Sequence, residues 1–251
     1  MIIFKIMSRE FKSIFKSPLF LATMSLVGFI WSYVFLRSLH NFEQQIHSQT
    51  ILGTGDLQFV IKAFMSAQYL LFLILCPMVA MKVISEDKQN GVLNYLHTLP
   101  ISSATLLVGK FLGGLSVLTM ILLISLVYPL GIAAPVSFSK TLLFSSFLGL
   151  WFLILIFYSV SYLVAIASRG AAITFAGGFV LNLCFLMFTD LGFFVESPVL
   201  KNVIKQMSSV RHFSAMLDGS IHLESVVFFI SVAVMCLILA DRIFKVSRWQ
   251  Q

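Results

Sequence analysis

The chain has 251 residues, of which 59% are hydrophobic and only 11% are charged, and its mean hydropathy is +0.99. A water-soluble domain of this length needs much more charge to cover its surface, so composition excludes that class and predicts a membrane protein. The formal net charge is +7. Because the basic residues flank long apolar runs instead of forming one patch, we expect them to set topology and contact lipid headgroups. We expect no nucleic-acid partner.

Residues 1–17 form a cationic segment in front of Pro18. Apolar residues are interspersed with four basic ones, Lys5, Arg9, Lys12 and Lys16. On a helix this pattern is amphipathic and suits a segment lying in the inner membrane interface, after which Pro18 begins the first span. A simple positive-inside anchor explains the same residues equally well. Both interpretations put the segment in the cytoplasm.

Six apolar runs follow, and each is long enough to cross a bilayer as a helix of about 20 residues. The predicted spans are residues 19–36, 59–81, 105–129, 141–167, 171–188 and 225–240. With a cytoplasmic N-terminus, 11 Lys and Arg residues lie inside and 6 outside, as the positive-inside rule requires. The sequence therefore predicts an all-α, polytopic protein, one transmembrane domain over residues 1–251. We expect it in the bacterial inner membrane, with both termini cytoplasmic.

Residues 85–100, between the second and third spans, predict a short amphipathic helix on the cytoplasmic side. Ser85 can cap its start, and the acidic Glu86 and Asp87 suit the positive end of the helix dipole. Pro100 ends the helix, after an apolar stripe of Val92, Leu93, Leu96 and Leu99. The helix is too short to cross the bilayer. It lies on the membrane surface or fits a groove in another protein, and the pattern alone does not distinguish these alternatives.

Two longer segments, residues 37–58 and 189–224, are predicted to lie outside the membrane. In the second, apolar residues at helical spacing predict a short amphipathic helix on the outer surface, with Val199, Val203, Ile204, Met207 and Val210 on its apolar side. In the first, the side chains of His40, Glu43 and His47 could share a helix face and bind a metal ion. Solvated polar residues need no ligand, and we favour that interpretation.

Two polar residues within the predicted spans, Lys62 and Asn182, are candidates for lining a pathway. Lys62, near the end of the second span, is expected to extend its ammonium group to the membrane surface instead of lining a pathway. Asn182 lines a substrate route or bonds to a neighbouring helix beside the small residues 176–178, and the second role is the more common. No His, Asp or Glu cluster falls at membrane depth in the sequence, so we expect neither a proton relay nor an intramembrane hydrolase.

The stretch from Glu86 to Phe111 resembles the signature of ABC-2-type permeases. The matching residues are Glu86, Asp87, Lys88, Gly91, Leu93, Leu96, Pro100, Ile101, Ser102, Gly109, Lys110 and Phe111. Within that family the chain is most similar to the permeases of gliding motility and nitrous-oxide-reductase maturation. That similarity rests on an outer-loop motif of His212, Phe213, Asp218, Gly219 and Ile221. Two positions depart from the family pattern: Asn94 stands where an acid is common, and Asp218 where Arg is usual.

The resemblance implies that two such permeases, here most simply a homodimer, pair above two separate ABC ATPases. The ATPases would push on a coupling helix containing Glu86, Asp87, Lys88, Gly91, Leu93, Asn94, Leu96, Leu99 and Pro100, and spans two and three would transmit the movement. ATP and Mg²⁺ would bind in the ATPases, leaving this chain without a catalytic residue, cofactor or metal. The residues agree on this point, because Val108-Gly109-Lys110-Phe111 lacks the glycine-rich loop and the hydroxyl of a P-loop.

Two other functions stay open. The chain could act as a mechanotransmitter that carries no substrate and moves a periplasmic partner through residues 189–224. It could also be a membrane-embedded enzyme acting on lipids, which would need a polar constellation at the membrane interface. The sequence names neither a substrate nor a direction of transport.

Overall fold

The computed structural model describes residues 2–47, 58–92, 102–133, 140–168, 170–188 and 198–248, and within these ranges it contains helices and no strand. The helices are α1 (Ile2–Phe15), α2 (Pro18–His47), α3 (Gln58–Ala80), α4 (Glu86–Gln89), α5 (Ser103–Ser125), α6 (Val127–Ala133), α7 (Lys140–Ala167), α8 (Ala171–Met187), α9 (Pro198–Met207), α10 (Ser209–Leu217) and α11 (Leu223–Arg248). A π-helical turn, Met81–Ser85, joins α3 to α4, so the chain runs as one helix from Gln58 to Gln89.

The prediction of an all-α polytopic membrane protein is confirmed. In the described ranges, five helical stretches are long and apolar enough to cross a membrane: Pro18–Gln44, Gln58–Gln89, Ser103–Gly131, Lys140–Ala167 and Leu223–Val246. The fifth predicted span corresponds to α8, an apolar helix of 17 residues, which is near the lower limit of about 17 residues for a crossing helix. The helices also extend beyond the predicted spans, most of all α2, which continues through residues 37–47.

The helix α7 is the centre of the bundle. In its most apolar stretch 78% of the residues are buried, against 17% in α2, which therefore lies at the periphery. Aromatic side chains join α7 to α5: the Phe111 and Tyr158 ring centroids are 5.0 Å apart, and the Tyr162 hydroxyl donates to the Leu107 carbonyl at 2.8 Å.

Small residues let α8 approach α3 and α7 closely. A Cβ atom added at Gly178 would lie 3.1 Å from Pro77 Cβ and 3.3 Å from the Ser161 hydroxyl oxygen. One turn further along, the fully buried Asn182 donates its amide N–H to the same Ser161 oxygen at 2.9 Å. This contact favours the helix-packing interpretation of Asn182.

The segment between α8 and α11 folds partly into the bundle. The single outer helix predicted around residues 199–210 is interrupted at Ser208, whose hydroxyl accepts the Arg211 backbone N–H at 3.2 Å and begins α10. Phe213 and Met216 of α10 are buried, and both lie against Gly149 of α7. The described part of this segment is therefore not purely a surface element.

Candidate coupling site

Glu86, Asp87 and Lys88 form the last turn of the long helix that begins at Gln58, and they do not begin a helix of their own. The prediction that Ser85 caps a helix start is wrong. Ser85 has helical backbone angles and makes no cap bond. The helix continues through it, with the Glu86 N–H bonded to the Met81 carbonyl across the π-helical turn. Gly91 ends the turn with φ of +70°, a left-handed conformation that favours glycine.

The remaining predicted coupling residues lie outside the described residues. They are Leu93, Asn94, Leu96, Leu99 and Pro100. The structure therefore describes the entry to the predicted coupling segment, up to Val92, and its exit, from Ser102 onward.

Because Glu86 and Asp87 lie at the end of a helix and not at its start, their electrostatic environment differs from the predicted one. Glu86 and Asp87 sit near the C-terminal end of a helix, where the dipole is negative, so each needs a cation nearby. Glu86 forms an ion pair with Lys82, one turn earlier on the same helix, and both side chains are partly exposed. Asp87 forms an ion pair with Lys110 of α5.

Lys110 is the centre of a buried ion cluster, which we call the ion junction and which consists of Glu10, Asp87 and Lys110. The Lys110 side chain is 1% exposed, and it donates to the Glu10 carboxylate at 2.9 Å and to the Val83 carbonyl at 3.0 Å. Its third bond goes to Asp87. An ammonium group has three N–H donors, so all of them are used. The ion junction therefore joins α1, the π-helical turn, α4 and α5.

A second set of bonds ties α4 to α7 and α8. The Lys88 ammonium donates to the carbonyls of Ala165 at 3.2 Å and Ser168 at 3.1 Å, and also to that of Ile166. Carbonyls at a helix C-terminus have no partner within the helix, so Lys88 supplies one for α7. Next to it, the hydroxyls of Ser85 and Thr174 share a hydrogen bond.

Sequence reasoning missed Glu10, and it matched Lys110 to the family signature without giving it a role in the site. Both carried a signal, because Glu10 is the only acid of α1 and Lys110 is the only charged residue of α5. The sequence could not show that these isolated charges meet each other and Asp87, since the residues are far apart along the chain.

The outer-loop motif holds α9, α10 and α11 together at the opposite end of the bundle. His212 bonds through Nδ1 to the Ser225 hydroxyl and donates through Nε2 to the Gln206 carbonyl, both at 2.9 Å. Its ring stacks on Phe228 with the centroids 4.8 Å apart.

The other residues of the motif anchor the end of α10. Phe213 is buried, and its ring centroid lies 6.3 Å from that of Tyr69 on α3. Asp218 forms a 2.9 Å ion pair with Lys62 of α3, and Gly219 ends α10 with φ of +91°. Lys62, expected to reach the membrane surface, thus has a specific partner.

The alternative metal set in the first outer segment gains no support. His40 and Glu43 are both exposed, with Nδ1 and a carboxylate oxygen 4.0 Å apart, and the His47 side chain lies outside the described residues. In the part of the chain that the structure describes, no group of three His, Cys, Asp or Glu residues could hold a metal ion.

The comparison with known proteins covers almost the whole chain. A family model described as "ABC-2 family transporter protein" matches residues 4–251, a range that includes the ion junction and the outer-loop motif. No curated protein matches the chain.

Proposed function

Because the chain belongs to the ABC-2 transporter family, it is a membrane subunit of an ABC transporter, and we propose that the segment between α4 and α5 takes up movement from separate ATPase subunits. The observation that carries this proposal is that the two helices flanking the segment are joined by an ion pair. Asp87 precedes the segment, Lys110 follows it, and their side chains form an ion pair.

Direct contacts lead from this segment into the bundle. Asp87 and Lys110 join α4 to α5, and Lys88 joins α4 to the end of α7, the most buried helix. Movement of the segment would reach three spanning helices through packed and hydrogen-bonded contacts instead of bending a free loop. This supports a role in transmitting work from the ATPases to the membrane domain.

The predicted binding surface for the ATPase consists of the described α4 turn and the residues that follow it. Gln89, Asn90 and Gly91 are exposed and lead directly into the predicted apolar stripe at Leu93 and Leu96. In this proposal ATP and Mg²⁺ bind in the ATPase, and the chain supplies no catalytic group, which agrees with a family whose members are generally non-catalytic membrane subunits.

The topology we propose puts the α4 end of the bundle in the cytoplasm of a bacterial cell, together with both termini. Helix α11 begins beside His212 at the opposite end, and its 26 residues extend about 39 Å at 1.5 Å per residue. That length returns the chain to the α4 end. The exposed apolar surface of the peripheral α2 suits lipid or a second copy of the permease. The finer assignment to the gliding-motility and nitrous-oxide-reductase-maturation branch rests on the outer-loop motif.

The double substitution Leu93→Asp and Leu96→Asp tests the docking surface. Charges on the apolar stripe should prevent it from entering a groove on the ATPase. We expect the permease to insert normally but to lose co-purification with the ATPase, or permease-dependent ATP hydrolysis, in membranes containing both proteins.

A matched control places two charges on another exposed apolar surface. Val203 and Met207 of α9 are 46% and 52% exposed, so Val203→Asp with Met207→Asp should leave ATPase binding and coupling unchanged. If the Leu93 and Leu96 variant still binds the ATPase and couples as the wild type does, the docking assignment is wrong.

A second function, the mechanotransmitter, is favoured by one observation. The outer helices are anchored to the same helices that end at the coupling site: α10 contacts α7 at Gly149, and Asp218 binds Lys62 of α3. Movement of α3 and α7 would therefore reach the outer segment and any periplasmic partner bound there. Family membership gives no support to the third alternative, an enzyme acting on lipids.

A further inference from the structure

The N-terminal helix α1 is pressed against α5 along two glycines. A Cβ atom added at Gly109 would lie 3.0 Å from Ile6 Cγ2, and one added at Gly113 would lie 2.7 Å from Glu10 Cβ. The two glycines are one helical turn apart, so they form a flat strip on which α1 rests. This close approach is what brings the Glu10 carboxylate to Lys110.

Holding helices together through the buried ions of the ion junction carries a cost in desolvation free energy. Glu10 and Lys110 are 5% and 1% exposed, and buried ions lose hydration that a well-packed apolar contact would not forfeit. In some proteins buried ions of this kind define a single geometry, because each ion has to find its partner in one arrangement. Here one ammonium group joins α1, the π-helical turn and α4 to α5.

Those elements are the ones next to the proposed coupling segment. Asp87 lies on α4 just before it, and Lys110 lies about two turns into α5 after it. The Val83 carbonyl belongs to the π-helical turn that sets the rotation of α4 relative to α3. Glu10 adds α1, which has no backbone connection to the segment. The side chain of Lys110 therefore links α1 to the two helices that flank the coupling segment.

We propose that Lys110 is a positioning residue through which α1 moves as one body with α4 and α5 when the ATPases act. The inference rests on the proposed function and deepens it. In this arrangement the N-terminal helix is a working part of the coupling apparatus and not a passive anchor. The exposed positive side chains of Lys5, Arg9 and Lys12 on α1, and of Lys16 directly after it, are displaced with it.

Two substitutions each remove one ion pair of the ion junction, either Lys110–Glu10 or Lys110–Asp87, without leaving an excess of buried charge. Glu10→Leu leaves Lys110 paired with Asp87, and Asp87→Asn leaves Lys110 paired with Glu10. The full-length permease is expressed with its ATPase, and both co-purification and permease-dependent ATP hydrolysis are measured. We expect Glu10→Leu to retain the ATPase but to lower permease-dependent hydrolysis by about fivefold or more, the usual lower range for coupling between two sites.

A disulfide tests whether α1 and α5 have to move together. A Cβ at Gly109 would lie 3.1 Å from Ile6 Cβ. This is a little shorter than the spacing of about 3.5–4.5 Å found in disulfides, so the two helices have to part by a few tenths of an ångström to form one. The variant Ile6→Cys with Gly109→Cys is made with Cys184→Ser, because Cys184 is exposed whereas Cys76 and Cys236 are buried. When oxidised, this link should restore coupling to Glu10→Leu, and reduction should remove the effect. The disulfide should not restore coupling to Asp87→Asn, because that substitution removes the Lys110–Asp87 ion pair, which does not involve α1.

Each outcome decides one question. If the disulfide abolishes coupling in the otherwise wild-type protein, α1 has to separate from α5 and the inference is overturned. Normal coupling in Glu10→Leu overturns it as well. If instead the wild-type permease neither binds nor stimulates an ATPase, the proposed function itself fails. Lys110→Arg keeps the cation and should retain most of the coupling.

Discussion

Gly114 of α5 lies against the hydroxyl of Tyr158 on α7, at a point where no side chain fits. A Cβ atom there would be 1.9 Å from the Tyr158 Oη atom and 2.6 Å from its Cζ atom. Tyr158 is fully buried, and its hydroxyl has no hydrogen-bond partner among the described residues. Contact between α5 and α7 at this depth therefore depends on the absence of a single methyl group.

The substitution Gly114→Ala should destabilise the protein by about 1–3 kcal/mol, the usual cost of overpacking a core. The free energy of unfolding or the melting temperature in detergent checks this. Gly28→Ala is the matched control: Gly28 also lies within a spanning helix, but a Cβ there has no atom within 4 Å. The control should be neutral or slightly stabilising, because alanine favours helix more than glycine does. Equal melting temperatures for the two variants would contradict the close contact.

At the scale of single elements, the turn Glu86–Gln89 shows where reasoning from sequence fails. A serine followed by two acids is typical of a helix start, yet here it ends a helix that began at Gln58. Two features reversed the prediction. The π-helical turn carries the helix past Ser85, and the cations that neutralise Asp87 and cap α7 come from pairings between distant parts of the chain. Local propensity does not encode either of them.

The same turn supports a prediction about Lys88. Replacing it with Met removes the donors to three carbonyls at the end of α7, and unsatisfied buried polar groups cost about 1–3 kcal/mol. We expect a lower melting temperature and faster hydrogen exchange in the last turn of α7 and the first turn of α8.

Lys82→Met is the matched control for Lys88. Lys82 lies six residues earlier on the same continuous helix, and among the described residues it pairs with Glu86, in a partly exposed position. Such pairs contribute about 0.3–0.5 kcal/mol, so the control should change little. Exchange rates at the end of α7 that respond equally to both substitutions would mean that Lys88 does not cap α7.

At the scale of the whole molecule, the sequence predicted the membrane helices well because each is recorded in a continuous apolar run. It did not predict how the chain between α8 and α11 would fold. The amphipathic pattern around residues 199–210 indicated a helix on the surface, and α9 partly fits that description, with Val203 and Met207 exposed. The burial of α10 depends on Gly149, a residue of another helix that opens space for Met216. Apolar periodicity within the loop contains no information about that space.

The different burial of α9 and α10 makes it possible to separate transport from mechanotransmission. Replacing residues 198–207 with a flexible linker of equal length removes α9 but keeps Ser208, the residue that caps α10. Because α10 remains anchored to α7 and α3, we expect this variant to insert, to bind its ATPase and to retain permease-dependent ATP hydrolysis. Gly149→Leu is the contrasting variant. A Cβ there already approaches Met216 Cβ to 2.7 Å, so the larger side chain should expel α10 and lower both the melting temperature and coupling.

The activity of the α9-replaced protein in cells then decides between the two functions. A subunit that moves a substrate through the membrane helices should keep its cellular activity, since α3, α5 and α7 and the ion junction are unchanged. A mechanotransmitter should lose it while ATP hydrolysis stays coupled, because its output passes through the outer segment. If ATP hydrolysis is lost as well, α9 is required for coupling just as the buried α10 is. The assumption that the two helices have separate roles is then wrong.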